Sequence, residues 1–170
     1  MQTFVALLRG INVGGNNILP MTELKALCEE AGFKNVRTYI QSGNVIFESK
    51  LSEDKVLKKL EKALKTKLEK VITVIIRTIA ELDKILEKNP FPEANPAQVG
   101  ILFFTEKVPA NILQEFKNAG PEEIVLSGRE IYIHFPNGMG QSKLKFPKIA
   151  ENGTVRNVNT IRKLAELGNK

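Results

Sequence analysis

The sequence of 170 residues is poor in the residues that build disulfides and metal clusters. It contains one cysteine, Cys28, one histidine, His134, and no tryptophan. A single cysteine excludes an internal disulfide and any cluster of several cysteine ligands, which is typical of a reducing compartment. We therefore expect no metal site, assign no cofactor, and expect packing to stabilise the chain.

The sequence also lacks a long apolar run. The longest runs, residues 4–8 and residues 71–76 with Thr73 inside, have the length of strands. Both are far shorter than the ~20 residues that cross a bilayer. The first three residues lack the basic start and the apolar stretch of a secretory signal. We predict a cytoplasmic location and no membrane partner.

Positive charge is what the sequence has in excess. The formal net charge is +6, and residues 141–170 hold seven basic side chains against two acidic ones, a net +5. A positive potential favours phosphates, nucleic acid or an acidic protein surface as partners. The alternative is a solvated, lysine-rich surface, which is common in proteins. The expected partner is an anionic small molecule or nucleic acid, and the oligomeric state stays open.

The hydrophobic pattern of the first half predicts an α+β unit. A strand over residues 4–9 precedes a helix whose apolar face is formed by Leu24, Leu27, Cys28 and Ala31. A hairpin around residues 42–44 (Ser-Gly-Asn) and a helix with Ser52 as its N-cap follow. A strand over residues 71–77 completes the order βαββαβ, which is ferredoxin-like and has an antiparallel sheet.

The second half is predicted to repeat this plan. We expect a strand over residues 99–104, a helix over residues 109–119 and a hairpin around residues 127–129 (Ser-Gly-Arg). Residues 142–150 are read as a helix broken at Pro147, and Asn159 as the cap of the last helix. The shared plan suggests an ancient duplication.

The predicted domain organisation therefore has three parts. Residues 1–77 are the first ferredoxin-like half, and residues 78–96 are a bridging helix, opened by a capping box, and a proline-rich linker. Residues 97–170 are the second ferredoxin-like half with a C-terminal helix.

A loop rich in glycine and asparagine joins the first strand to the first helix. Alignment of the halves gives the first one roughly ten extra residues, which fall in residues 10–20. Backbone amides in such a loop can hold an anion. The loop is neither a Walker A motif nor a dinucleotide fingerprint, because the required endings and glycine spacing are missing. An ordered crossover loop without a ligand is equally consistent with the sequence.

Two further motifs place cations beside polar groups. Arg156 comes just before the polar start of the last helix, where it could bind a phosphate; the alternative is a strand end and a helix cap. Ser142 and Lys143 follow a glycine-rich turn and could form a nucleophile and its base. Neighbours on a helix do not face each other, which favours a turn with a solvated lysine.

Three segments resemble a known family. They are ALLRGINVGG at residues 6–15, TYIQSGNV at residues 38–45 and GMGQSKL at residues 138–144. On these motifs the chain resembles the domain of unknown function 1697 family of mainly bacterial proteins, from Phe4 to Leu167. The resemblance implies a soluble α+β fold with ferredoxin-like halves and brings no reaction, substrate or catalytic residue. The family usually has tryptophan where this chain has Val158.

The shared motifs coincide with the loops chosen on chemical grounds. The candidate ligand contacts are Arg9, Asn12, Gly14, Gly15, Ser42, Asn44, Ser142, Lys143 and Arg156. The leading hypothesis is binding of a phosphate-bearing ligand, either a nucleotide or nucleic acid, between the first loop and the basic C-terminal segment. One alternative is an enzyme that acts on a small anionic metabolite through Arg9, Ser42 or Lys143. Another is a scaffold or regulatory protein that pairs through sheet edges.

Overall fold

Each half of the chain forms one four-stranded antiparallel sheet. The structure, a computed structural model, describes residues 1–170. The chain divides into two units: unit 1 holds residues 1–83 and 164–170, and unit 2 holds residues 84–163. The strand order is β2-β3-β1-β4 in the first sheet and β6-β7-β5-β8 in the second, so the predicted α+β class with ferredoxin-like halves is confirmed.

Unit 1 contains the first βαββαβ set. Its elements are β1 (Gln2–Leu8), α1 (Met21–Glu30), β2 (Lys34–Tyr39), β3 (Asn44–Ser49), α2 (Glu53–Leu68) and β4 (Val74–Thr78). Helix α2 begins as its sequence predicts, because the Ser52 side chain accepts a hydrogen bond from the Lys55 amide at 3.4 Å. Acidic residues in the first turn and lysines in the last turn complement the helix dipole.

The core of unit 1 lies between its sheet and its two helices. One face of β1 supplies Phe4, Ala6 and Leu8, which cluster with buried side chains of α1 and α2. The rings of Phe33 and Phe47 stack with centroids 4.2 Å apart inside this cluster. The same packing buries the Cys28 thiol and raises its pKa to about 12. The thiol therefore stays protonated at neutral pH and is a poor nucleophile.

Unit 2 repeats the sheet but not the helices. Its strands are β5 (Val99–Phe103), β6 (Glu123–Ser127), β7 (Glu130–His134) and β8 (Thr154–Asn157). Helices α3 (Ile79–Glu87) and α4 (Val158–Gly168) each have residues in both units. The predicted capping box of α3 is present, since Thr78 and Glu81 exchange hydrogen bonds of 2.9 and 3.1 Å. No helix of the chain is both long and apolar enough to cross a membrane.

The predicted helix over residues 109–119 is wrong. Only a 3₁₀ segment, Ala110–Glu115, forms there, and Phe116 takes an extended backbone. Lys117 then pairs with Lys145 through two backbone hydrogen bonds of 2.9 and 2.7 Å. The Phe116 ring packs on Phe146 with centroids 5.4 Å apart. This pairing with a distant segment replaces the helical hydrogen bonds.

Two predictions for the C-terminal part are also wrong. Residues 142–150 do not form a helix; the region has two 3₁₀ turns, Met139–Gln141 and Lys148–Asn152. The cap of α4 is Asn157, whose side chain accepts from the Thr160 amide at 2.9 Å, and not Asn159. Strand β8 leads directly into α4, so the cap is the last residue of the strand.

Candidate functional site

The first loop folds as a small hairpin whose tip is Gly14 and Gly15. The Asn16 amide donates to the Val13 carbonyl at 2.9 Å, and the Asn12 amide donates to the Asn17 carbonyl at 3.2 Å. Both glycines have positive φ, 57° and 76°. A two-residue type I′ turn requires positive φ at both central positions, which is why glycine is preferred there.

The side chain of Asn12 fixes this hairpin to the rest of unit 1. Its Nδ2 donates to the carbonyls of Leu19 at 2.9 Å and Gln41 at 2.8 Å. Its Oδ1 accepts from the Leu19 amide at 2.7 Å. Because donor and acceptor groups are both used within the chain, Asn12 joins the end of the loop to the turn before β3.

The turn before β3 lies directly against the first loop. The Leu8 amide donates to the Gly43 carbonyl at 2.9 Å. A Cβ at position 43 would lie 3.0 Å from the Cβ of Leu8 and 3.3 Å from that of Ile11. Asn44 is fully buried, and its Nδ2 donates to the Tyr39 carbonyl and the Ser42 hydroxyl, both at 3.1 Å. Asn44 therefore organises the turn and is closed to a ligand.

The exposed part of this region combines amides, one cation and apolar side chains. Arg9 is exposed at the end of β1, and neither the Gly14 nor the Gly15 amide donates a hydrogen bond within the chain. Val13 and Ile18 are each 60% exposed. The hairpin tip therefore presents hydrogen-bond donors beside apolar surface.

Ser142 and Lys143 line a cavity of about 270 Å³ in unit 2. The Ser142 hydroxyl donates to a carboxylate oxygen of Glu122 at 2.7 Å and accepts from the Leu144 amide at 3.1 Å. The hydrogen bond from Ser142 is the main reason that the pKa of Glu122 is lowered. The Glu122 carboxylate is therefore ionised at neutral pH, and the Ser142 hydroxyl is held by it.

Arg156 lies on β8, half-buried along its own strand. Its Nη1 donates to the Thr154 hydroxyl at 2.7 Å and to the Val155 carbonyl at 3.0 Å. Burial lowers the pKa of Arg156 to about 10, so the side chain still carries its charge at neutral pH. Arg156 is not among the residues that line the cavity of Ser142.

The nine sequence-predicted residues fall into two groups. Six belong to the first loop and the neighbouring turn of unit 1; Ser142, Lys143 and Arg156 belong to unit 2. Sequence reasoning missed Glu122, which lies 20 residues before its partner Ser142. Two acidic residues after a Gly-Pro pair carry no signal of such a partnership.

Comparisons with known proteins give a family and related solved structures. A family model described as "Protein of unknown function (DUF1697)" matches residues 1–132. The solved structure of the conserved bacterial protein SP0830 from Streptococcus pneumoniae is similar over 100% of this chain and 99% of its own. The two share 25% sequence identity, with a TM-score of 0.84. No curated protein matches the chain.

Proposed function

We propose, from the premise that this chain belongs to the DUF1697 family, that it binds a phosphate-bearing ligand at the tip of its first loop. Family membership supplies no reaction and no ligand, so the proposal rests on the chemistry of the loop. The ligand class that the loop geometry favours is nucleic acid.

One observation carries this proposal: the Gly14 and Gly15 amides lie at an exposed tip and have no acceptor within the chain. Neighbouring backbone amides of this kind form anion-binding concavities in many proteins. Arg9 supplies a cation at the end of β1 in the same unit. The net +5 of residues 141–170 adds to the positive potential of the chain.

The apolar side chains of the loop favour nucleic acid over a free nucleotide. Val13 and Ile18 are exposed on either side of the tip. A nucleic acid offers phosphates beside sugar and base surfaces, and so can contact both kinds of group. A free nucleotide is usually held in an enclosed pocket, and an exposed hairpin tip provides no such enclosure.

A charge introduced at the tip tests the proposal. Gly14→Asp adds a carboxylate where a side chain would meet nothing within 4 Å, and aspartate tolerates positive φ. We expect it to weaken oligonucleotide binding about fivefold, because two unit charges 4 Å apart in water repel by about 1 kcal/mol. Fluorescence anisotropy with a labelled single strand and a labelled duplex measures the affinity, and a free nucleotide serves as competitor.

Two matched variants control this experiment. Gly14→Asn has the shape of the aspartate without its charge, and Gly128→Asp places the same carboxylate in the turn of the β6–β7 hairpin, also with positive φ and open space. Both should bind nearly as well as the original chain. Equal losses for Gly14→Asp and Gly128→Asp, or no salt-sensitive binding of any probe, would refute the proposal.

An enzyme acting on a small anionic metabolite is less well supported. In the cavity lined by Ser142 and Lys143, the group beside the Ser142 hydroxyl is the Glu122 carboxylate, whereas a histidine is the usual base for a serine nucleophile. A general base works best with a pKa near the working pH, whereas the pKa of Glu122 is lowered. The pair therefore has a poor base for activating the hydroxyl.

A scaffold that pairs through sheet edges is a third candidate. The outer strand β2 is irregular, because its register with β3 shifts between Lys34 and Arg37. Such bulges discourage pairing with another chain. This geometry favours binding by the loop over assembly by that edge.

A further inference from the structure

A polar cavity of about 600 Å³ lies beside β2 in unit 1, separate from the first loop. Side chains of both charges line it. The cations are Lys25, Arg37 and Lys170, and the carboxylates are Glu29 and Glu48. The charged side chains of the lining therefore sum to one net positive charge, and Lys170 also forms an ion pair of 3.9 Å with Glu166 of α4.

Arg37 is the residue of this cavity whose hydrogen bonds are incomplete. Its Nη1 donates to the Leu167 carbonyl near the end of α4. Its Nε is buried and has no hydrogen-bond partner. The great majority of buried donors in proteins are paired. An unpaired buried donor on a charged group costs folding free energy. Arg37 thus has one buried donor, Nε, that lacks an acceptor.

Glu48, a carboxylate of this cavity, has its hydrogen-bond partner within the bulge of β2. The register shift between Lys34 and Arg37 marks a bulge, and Asn35 within it has a φ of 49°. The Asn35 side-chain amide donates to the Glu48 carboxylate. Neither Glu48 nor Glu29 forms an ion pair with the Arg37 guanidinium. Bulges often lie next to binding sites, where they redirect a side chain.

We infer that this cavity binds a small carboxylate ligand, whose oxygens accept hydrogen bonds from the guanidinium of Arg37. The planar fork of arginine matches a carboxylate through two parallel hydrogen bonds. Because Nε is covered in the free chain, pairing through Nε requires the arginine side chain to move on binding. The single net positive charge of the lining suits a monoanion better than a phosphate monoester, whose second charge would meet Glu29 and Glu48.

Titration of the full chain with acetate, glycine and inorganic phosphate at constant ionic strength tests this inference. Glycine also carries an ammonium group, which can donate hydrogen bonds to the carboxylates of Glu29 and Glu48. Two-dimensional ¹H–¹⁵N NMR follows the Arg37 Nε–H resonance in the unchanged protein. We expect saturable shifts of that resonance with acetate and glycine, and weaker binding of phosphate.

Substitutions separate the effect of the two-bond guanidinium geometry on affinity from the effect of the positive charge. Arg37→Lys keeps the positive charge and removes the fork, so carboxylate affinity should fall about tenfold. Arg162→Lys makes the same change on the exposed face of α4, outside the cavity, and should leave affinity unchanged. Gly14→Asp should also leave it unchanged, which separates this site from the one at the loop tip.

Three results would overturn the inference. An Nε–H resonance that no carboxylate moves would mean that no carboxylate pairs with the Arg37 guanidinium. If Arg37→Lys bound carboxylates as tightly as the original chain, the two-bond geometry of the guanidinium would have no part in binding. Tighter binding of phosphate than of acetate and glycine would contradict the assigned ligand class. The first and third results need no variant, so they stand even if Arg37→Lys fails to fold.

Discussion

At the scale of single residues, Gly43 marks a close contact of the turn before β3 with β1 and the first loop. Its φ is 84°, a backbone conformation that favours glycine. The space around its Cβ position is already taken by the side chains of Leu8 and Ile11. Any side chain here must therefore overcome both backbone strain and crowding.

Gly43→Ala should lower the free energy of unfolding by about 2 to 5 kcal/mol, since left-handed backbone strain costs about 1 to 2 kcal/mol and overpacking about 1 to 3 kcal/mol. Gly128→Ala is the matched control, because Gly128 also has positive φ but open space around its Cβ position. It should show only the strain of about 1 to 2 kcal/mol. Urea denaturation measures both, and equal losses would contradict the crowding seen at Gly43.

Residue types alone could not separate ligand contacts from structural contacts. The sequence predicts that Asn12 and Asn44 touch a ligand. In the structure the side-chain amide of Asn12 donates to the Leu19 and Gln41 carbonyls, and that of Asn44 donates within the turn. An asparagine can serve either purpose, and the Gln41 carbonyl lies 29 residues away in sequence. The sequence does not show that Gln41 lies beside Asn12, so only the fold separates a structural contact from a ligand contact.

At the scale of secondary-structure elements, local signals were reliable where they were complete. Ser52 caps α2, and Thr78 caps α3 through a reciprocal pair with Glu81, as their sequences predict. The predicted helix over residues 109–119 failed because Lys117 pairs with Lys145 instead. A long-range pairing of this kind has no signature in a short window of sequence, and it overrides moderate helix propensity.

The cap of α4 offers a test at this scale. Asn157→Ala removes the acceptor for the Thr160 amide and should lower the free energy of unfolding by about 1 kcal/mol. Asn159→Ala changes an exposed position inside α4 and should be neutral or slightly stabilising, because alanine has the higher helix propensity. Thermal unfolding of both variants measures the difference. A larger loss for Asn159→Ala would show that the cap lies there.

At the scale of the whole molecule, the two sheets share one strand order and differ in what surrounds them. Unit 1 has the helices α1 and α2, whereas the matching segments of unit 2 are short 3₁₀ turns. The order of strands was predictable because alternating apolar residues and Ser-Gly turns mark both hairpins. The absence of matching helices in unit 2 was not predictable from the sequence. Duplication of an ancestral half stays a hypothesis that this shared order motivates.

The asymmetry between the halves directs attention to the first loop. Its hairpin, held by Asn12, presents the Gly14 and Gly15 amides and the exposed Arg9. No Gly-Asn hairpin of this kind follows the first strand of unit 2, where β5 runs into residues 104–109 before the 3₁₀ segment. In the proposed function, this hairpin tip binds phosphate groups of a nucleic acid.

Backbone amide NMR of the full chain, titrated with a single-stranded oligonucleotide, tests this claim most directly. The titration is run at about 50 mM and about 200 mM salt, because phosphate contacts release counterions and weaken as salt rises. We predict that the Gly14 and Gly15 amide resonances move downfield on binding and that the affinity falls on the order of tenfold between the two salt concentrations. Bound oligonucleotide with both glycine resonances unmoved, or no binding at either salt concentration, would contradict the account.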